Sequence, residues 1–383
     1  MACSNYWSSP FQVGSHHLAR SFMKAGWDVA YFSDPISPLH VFAGSKHDLK
    51  ARFDSYKNFG APGREAHVRE HVPGAIFTPH NKFLLRSRWV YNNWWTLTVP
   101  SVKKISQRMG FAEVDLIYID SIIHAFWLKV VKYKKSIFRL ADNNSGFDRF
   151  NPSAGALSEY LGKNVDLVVY SAKSLKDYAL SLKPQNIHYL PNGINLGHFL
   201  ESPRNIPEDL KSIPKPIAIY VGAMDSWFDF DLMNLAVEKL PQVNFVVIGP
   251  KGLASSKLNP RPNLHLLGTK SYFDLPPYLH NADVGIIPFN VRKYPVLVNN
   301  INPLKMYEYL ACGLGVVSVS WEELKNLNMP AELCDTAEEF VRAISRKISA
   351  PRTANDEVLS SLAKMDWDQR VQDILAALHS IKI

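Results

Sequence analysis

The sequence predicts an α/β protein of two domains, each built on a mostly parallel sheet with helices on both faces. Three observations carry this. The chain has 383 residues, more than the ~100–200 of a usual single domain. Short β-branched runs without polar alternation recur along it, as strands covered on both faces require. These runs alternate with helical periodicity, break off near residue 200 in a proline-rich stretch, and then begin again.

In the first half, Ser15–Ala25 reads as a helix with Leu18, Phe22 and Ala25 on one face, and Gly26 stops it. Trp27–Phe32, Leu116–Ile119, Ile137–Leu140 and Leu167–Ser171 read as strands. Ser174–Leu182 follows as a helix, and Ile187–Leu190 as a strand ending in the turn Pro191-Asn192-Gly193. Glu201–Pro216 contains four prolines, several charges and little apolar periodicity, so 199–216 is expected as a linker. The rhythm restarts with strand Ile217–Val221, helix Leu232–Leu240, strands Asn244–Ile248 and Leu264–Leu266, and helix Phe273–Leu279. Strand Val284–Pro288, helix Pro303–Ala311 and strand Gly315–Ser318 complete it. Asp366–Ile381 is a final helix with Trp367, Val371, Ile374, Leu375 and Leu378 on its apolar side. The expected domains are 1–198 and 217–365, with 366–383 as a closing helix.

Composition narrows the function classes. Three cysteines, Cys3, Cys312 and Cys334, lie far apart without metal-ligand spacing, which fits a reducing cytosol. The start MACSNYW lacks the basic and apolar regions of a signal peptide, so none is expected. The uncharged runs Trp89–Val102 and Tyr309–Trp321 fall short of the ~20 apolar residues that span a bilayer. The net charge is +8, yet residues 1–200 hold 24 Lys+Arg against 14 Asp+Glu, or +10, which leaves −2 for the rest. A basic first half suggests a polyanionic partner. Zinc-finger, RNP and basic-zipper motifs are lacking, so nucleic acid is disfavoured and an anionic membrane surface preferred. In Lys82–Arg108, Lys82, Arg86, Arg88, Lys103, Lys104 and Arg108 interleave with Phe83, Leu84, Leu85, Trp89, Tyr91, Trp94 and Trp95. Such interleaving suits an interfacial contact; a buried aromatic cluster with a charged rim is the alternative.

The most informative segment runs from Asn299 to Gly313, NNINPLKMYEYLACG. Asn302 is expected to cap a helix, Pro303 to occupy its first turn and Gly313 to end it. The open N–H groups and positive dipole end make an anion site. Lys305 adds a charge there, and Glu308 shares its face three residues on. A cation for a pyrophosphate and a carboxylate for ribose hydroxyls would bind a nucleotide diphosphate. A capped surface helix with an (i, i+3) ion pair is the plainer alternative.

This segment resembles the nucleotide-sugar signature of the GT-B glycosyltransferases, in which Pro-Leu-Lys-x-Tyr-Glu-Tyr-Leu-Ala-x-Gly is a frequent form. Tyr220-Val221-Gly222-Ala223, Val247-Ile248-Gly249 and Ala282–Pro288 supply matching context. The resemblance implies two Rossmann-like domains facing across a cleft, a donor-binding second domain, and a final helix that crosses back onto the first. Retaining members carry a second glutamate eight residues before the Glu308 position; here Asn300 stands there, which puts a retaining mechanism in doubt. The first half is similar to the glucuronosyltransferases of xanthan assembly and related enzymes of teichuronic acid synthesis. The segments that carry this are Gly14-Ser15-His16-His17, Tyr118-Ile119-Asp120-Ser121, Phe138-Arg139-Leu140-Ala141-Asp142 and Tyr170-Ser171-Ala172.

That resemblance implies Asp142 as general base of an inverting transfer. Its position just past the expected strand Ile137–Leu140 agrees, because ligands in open α/β sheets bind outside the carboxyl ends. Ordinary turn chemistry in Asp142–Gly146 is its alternative. Asp120 is the rival or supporting carboxylate, or else a cap for a helix Ile122–Val131. Arg139 is expected on the acceptor side, near enough in sequence to affect the aspartate electrostatically. His16 faces the acceptor or is a satisfied structural histidine. Gly222, Met224, Phe289, Asn300, Leu304, Lys305 and Glu308 form the donor set. Asp225 and Trp227 are further candidates for the uridine pocket, and Arg292 and Lys293 for a sugar carboxylate.

The expected function is an inverting glycosyl transfer, with glucuronic acid the candidate sugar. It would run from a UDP-sugar to a polyprenyl-diphosphate-linked glycan in surface polysaccharide synthesis, on the inner face of the cytoplasmic membrane. No Asp-x-Asp occurs, so no metal or other cofactor is expected: Lys305 and the helix dipole would stabilise the leaving diphosphate. A catalytically silent nucleotide-sugar-binding subunit and a UDP-sugar epimerase are the rival readings.

Overall fold

The computed structural model describes residues 1–42, 46–61, 65, 67–147, 150–350, 352 and 356–381. It divides into two units, Met1–Pro191 with Asp368–Ile383, and Asn192–Trp367.

The first unit holds a sheet of seven strands: β1 (Ala2–Cys3), β2 (Val29–Ser33), β3 (Val68–His71), β4 (Glu113–Ile119), β5 (Lys132–Leu140), β6 (Leu167–Tyr170) and β7 (Ile187–Tyr189). Its order is β3-β2-β1-β4-β5-β6-β7, with every pairing parallel. The chain steps outward from β1 to β3 on one side and then returns to β4 on the other. The order therefore reverses at the β1–β4 pair, the place where open α/β sheets open a crevice at their carboxyl ends.

β4 and β5 each begin with alternating exposed residues and end fully buried. Their charged amino halves, with Lys134 paired to Asp115 at 2.6 Å in solvent, lengthen the strands beyond the apolar runs that mark them in sequence. The expected helix over 122–131 is instead a 3-10 turn, Ile122–His124, and a single-turn helix, Trp127–Val130. The Trp367–Ser380 helix joins this unit from Asp368 onward. Asp368 accepts hydrogen bonds from Ser21 Oγ (2.5 Å) and Lys24 Nζ (3.1 Å) of the Gly14–Lys24 helix. Residues 382 and 383 lie outside the described residues.

Within Lys82–Arg108 the buried aromatic cluster is realised at Trp94 and Trp95, while other apolar side chains of the segment stay exposed. Trp94 is fully buried and donates Nε1–H to the Ile123 carbonyl, and Trp95 stacks on Phe126. Phe83 is 78% exposed, with Leu84, Trp89, Val99, Ile76 and Phe77 also open to solvent.

The second unit holds six strands: β8 (Ile217–Val221), β9 (Asn244–Ile248), β10 (Leu264–Gly268), β11 (Val284–Ile287), β12 (Gly315–Val319) and β13 (Ala331–Cys334). The order β10-β9-β8-β11-β12-β13 is again all parallel and reverses at β8–β11. Residues 199–216, expected as a linker, lie inside this unit: Leu210 and Ile213 are buried in its core. Prolines and charges there mask two apolar anchors. Neither β13 nor the Ala337–Ile348 helix was expected. The helix carries a capping box, in which Thr336 Oγ1 accepts from the Glu339 N–H and Glu339 Oε2 accepts from the Thr336 N–H. Thr336-Ala337-Glu338-Glu339 was a readable start signal.

Candidate functional site

Most of the candidate donor residues gather at the β8–β11 reversal of the second unit. β8 ends at Val221 and the chain turns at Gly222, whose φ of +149° is glycine territory. β9 ends beside it: a side chain on Gly249 would run into the Gly222 carbonyl. The two glycines thus let two strand ends close to backbone contact. The loop after β8 folds onto the loop after β11 through the Phe228–Phe289 bridge and the bonds from Asp229 N to Pro288 O (2.8 Å) and from Asn290 N to Trp227 O (2.7 Å).

The Leu304–Ala311 helix points its start at this corner. Its N-cap is Pro303, with no side-chain cap, which corrects the expectation that Asn302 caps it. Asn302 is instead buried and braces the preceding loop: it accepts from Tyr307 Oη (3.0 Å) and donates to Glu323 Oε1 (3.2 Å). A buried side chain committed to such a network cannot also turn back to the helix N–H groups. At the other end Cys312 caps the helix and Gly313 follows at φ +76°, as expected. Tyr309 ties the helix to the strand, its Oη accepting from Val221 N (2.9 Å), and its ring fills the space above Gly285.

Lys305 makes no ion pair among the described residues, so the (i, i+3) pair with Glu308 does not form. Its Nζ lies over the rings of Phe289 (4.7 Å to the centroid) and Tyr220 (5.6 Å). A side chain on Gly222 would crowd Lys305 Cε, so the ammonium stem passes directly by the glycine turn. Burial pushes the Lys305 ammonium down to about 8, the attraction of Glu308 opposing it. Burial pushes Glu308 up to about 7, against the pull of Lys305. A desolvated cation with aromatic neighbours and no carboxylate partner is suited to receive an anion.

The other donor candidates divide. Leu304 opens the helix, and Met224 is buried close to Gly249. Asn300 donates its amide to the Val296 carbonyl (2.6 Å), closing the short Pro295–Val298 helix. Asp225 is exposed, while Trp227 packs against the core. Arg292 and Lys293 are exposed on the loop after β11, with Lys293 over Tyr294.

In the first unit, the carboxyl ends of β2, β4 and β5 each carry an aspartate: Asp34, Asp120 and Asp142. Asp120 is only 11% exposed, accepts a hydrogen bond from Ser15 Oγ, and lies 3.5 Å from Arg139 Nη1, itself 4% exposed. Burial raises its carboxyl pKa, and Arg139 and Ser15 pull it back. Asp120 serves as an internal partner of Arg139, and not as the cap of a helix. Asp142 is partly buried in the turn after β5, and its charge helps hold the Arg139 guanidinium protonated.

His16 is the satisfied structural histidine. Fully buried, it accepts from Val13 N at Nδ1 (3.2 Å) and donates from Nε2 to the Tyr6 carbonyl (3.0 Å), so both ring nitrogens are spent and an acceptor-facing role is ruled out. Two residues received no site role in the sequence reading. Tyr220 supplies a wall of the lysine site, and as the last aromatic before Gly222 it was visible. Asp34 follows a strand end, the same signal that marks Asp120 and Asp142.

A cavity of about 940 Å³ in the first unit lies elsewhere, lined by the opening residues of β1, β2 and β4, at the amino ends of the sheet. Among the described residues no His, Cys, Asp and Glu cluster suits a metal ion, and no helix is long and apolar enough to cross a membrane.

Comparison with known proteins follows the same division. Residues 1–171 match the family of the glucuronosyltransferase GumK, N-terminal domain, and residues 215–349 match the glycosyl transferases group 1. A proposed teichuronic acid biosynthesis glycosyltransferase, TuaH of Bacillus subtilis (strain 168), is 23% identical over 178 residues, 45% of this chain. The match spans 41% of that relative's length. Among solved structures, sucrose-phosphate synthase from Thermosynechococcus elongatus superposes with a TM-score of 0.71 at 15% identity, covering 99% of this chain and 98% of the other. Anabaena Alr3699/HepE, in complex with UDP and glucose, gives 0.66 at 14% identity with 99% of each chain covered. These likenesses share the fold of paired parallel sheets. The first unit thus matches the family of the GumK N-terminal domain over residues 1–171, the second matches the glycosyl transferases group 1 over residues 215–349, and the whole chain shares the fold of the solved glycosyltransferase structures.

Proposed function

We propose that the chain transfers a sugar from a UDP-sugar to a lipid-linked glycan with inversion at the anomeric carbon, and that glucuronic acid is the sugar. The observation that carries the donor half is Lys305: a desolvated cation, held over two rings beside a glycine turn, at the start of a helix without a side-chain cap. Its natural complement is a diphosphate. Glu308, one turn along, is suited to accept from ribose hydroxyls. The family description of the first unit names a glucuronosyltransferase, and Anabaena HepE is described with UDP and glucose; both support the choice of donor.

In the transfer, Asp142 takes the proton of the acceptor hydroxyl as its oxygen bonds to the anomeric carbon from the face opposite UDP. The bond from that carbon to the β-phosphate oxygen breaks, and the electron pair leaves on UDP, whose growing charge Lys305 and the helix start stabilise without a metal. Arg139 and its partner Asp120 hold the field around the base. For the acceptor, the proposal is supported by the exposed apolar side chains of residues 76–99. There Phe83, Leu84 and Trp89 are exposed in the same segment as the exposed cations Lys82, Arg86 and Arg88, and Lys103 and Lys104 follow, also exposed. Such a surface suits peripheral binding to anionic lipid.

Four outcomes test this. Lys305→Ala should weaken UDP-sugar binding by ~10–150-fold, the value of a charge-assisted contact of roughly 1.5–3 kcal/mol. Lys305 loses its charge above a pH of about 8 and Glu308 its carboxylate below about 7, so wild-type affinity should be greatest between them and fall on both sides. In the variant the loss on the alkaline side should disappear; calorimetry across pH reads both, and an unaltered profile removes Lys305 from the site. Asp142→Asn should lower turnover by ~10²–10⁴-fold with donor affinity nearly unchanged; near-normal turnover would take the base role from it. Sedimentation with liposomes should give binding to anionic vesicles that weakens with salt and with glutamine at Arg86, Arg88, Lys103 and Lys104. Equal partition to neutral vesicles would count against the electrostatic contact.

A further inference from the structure

We infer that Asp34 is a carbohydrate-binding residue of the first unit, an acceptor for hydroxyl groups of the sugar that receives the transfer. The inference rests on the transfer proposed above and adds to it a residue that grips the acceptor. Asp34 follows the carboxyl end of β2, next to β1, where the order of the sheet reverses. Its Oδ1 accepts from Ser121 Oγ at 2.6 Å, and His124 Nε2 lies 3.3 Å from the same oxygen. Ser121 comes from the loop after β4, on the far side of β1, so this contact spans the reversal.

The two supporting groups are buried, His124 completely, whereas the Asp34 side chain is 34% exposed. His124 is in turn fixed by the edge of Trp94 (5.4 Å) and by Phe126 (5.7 Å). Arg52 anchors the backbone beneath, donating to the carbonyls of Asp34 (2.9 Å) and Pro35 (3.1 Å). Here the buried Ser121 hydroxyl fixes one carboxylate oxygen, the His124 ring packs beside it without a hydrogen bond, and among the described residues Oδ2 receives no hydrogen bond.

An ionised carboxylate only accepts, so the partner must donate; an oriented acceptor at the mouth of a sheet crevice suits a sugar hydroxyl. Asp120, two strands along, is nearly closed off and already paired with Ser15 and Arg139, which leaves Asp34 as the more accessible of the two. Asp34 positions the acceptor; the proton transfer remains with Asp142.

The test uses the full chain and simple glycosides as probes: p-nitrophenyl β-D-glucoside, β-D-galactoside and β-D-mannoside, titrated by NMR, with UDP titrated in parallel. Wild type should bind at least one glycoside. Asp34→Asn should weaken that glycoside at least ~10-fold, as loss of a charged acceptor predicts, with UDP affinity unchanged. Ser121→Ala, which releases the carboxylate without removing it, should weaken it by a smaller factor of about 3. It also keeps the test valid if Asp34→Asn fails to fold. Equal glycoside affinity in wild type and Asp34→Asn, or in wild type and Ser121→Ala, would overturn the inference. Binding of UDP but of no glycoside by wild type would also overturn it while leaving the donor reading intact. Failure to bind UDP would sink the donor reading itself.

Discussion

The second unit is organised around a place with no room for a side chain. The ends of β8 and β9 approach so closely at Gly222 and Gly249 that a methyl group on the latter would strike the opposing carbonyl. This approach lets the loop after β8 fold down onto Phe289, which brings the rings of Tyr220 and Phe289 under one ammonium group. Lys305 is then desolvated by aromatic faces and given no carboxylate. Burying a charge this way is costly, and the cost is offset when an anion arrives. The lowered pKa of Lys305 and the raised pKa of Glu308 are two readings of one feature, the half-buried corner at the helix start.

The first unit handles charge differently. Its buried guanidinium, Arg139, is matched by carboxylates, with Asp120 in contact and Asp142 acting on it electrostatically. A paired charge is tolerable in a core because attraction replaces solvation. The consequence is a graded row of aspartates along the carboxyl ends of the sheet: Asp120 enclosed, Asp142 in a partly buried turn, and Asp34 fixed from beneath while open above. One structural rule, carboxylates past strand ends, thus yields three environments.

The sequence carried the two-sheet rhythm because the buried strand halves are continuous apolar runs, Ile137–Leu140 and Val284–Ile287 among them. It also carried the lysine helix, through Pro303 and Gly313. It was weaker where polarity and burial part company. Lys132–Ser136 and Glu113–Asp115 look like loop and are strand, because one face of each is solvated. Residues 199–216 look like linker, yet bury Leu210 and Ile213. Asn302 has the type of a cap and is consumed by Tyr307 and Glu323, a contact across twenty-one positions that no local pattern encodes. His16 could not be assigned before its carbonyl partner, Tyr6, was known. Asp34 was in plain view and passed over, since its supports come from a loop nearly ninety residues away.

The central claim is that the start of the Leu304–Ala311 helix, with Lys305 beside Gly222, is a diphosphate site. Hydrogen exchange of the full chain, followed by mass spectrometry with and without UDP, tests it most directly. The account predicts slower exchange in peptides covering residues 220–224 and 303–308 with UDP, and little change there with uridine, which lacks the diphosphate. Protection confined to the first unit, or equal protection by uridine, would contradict it.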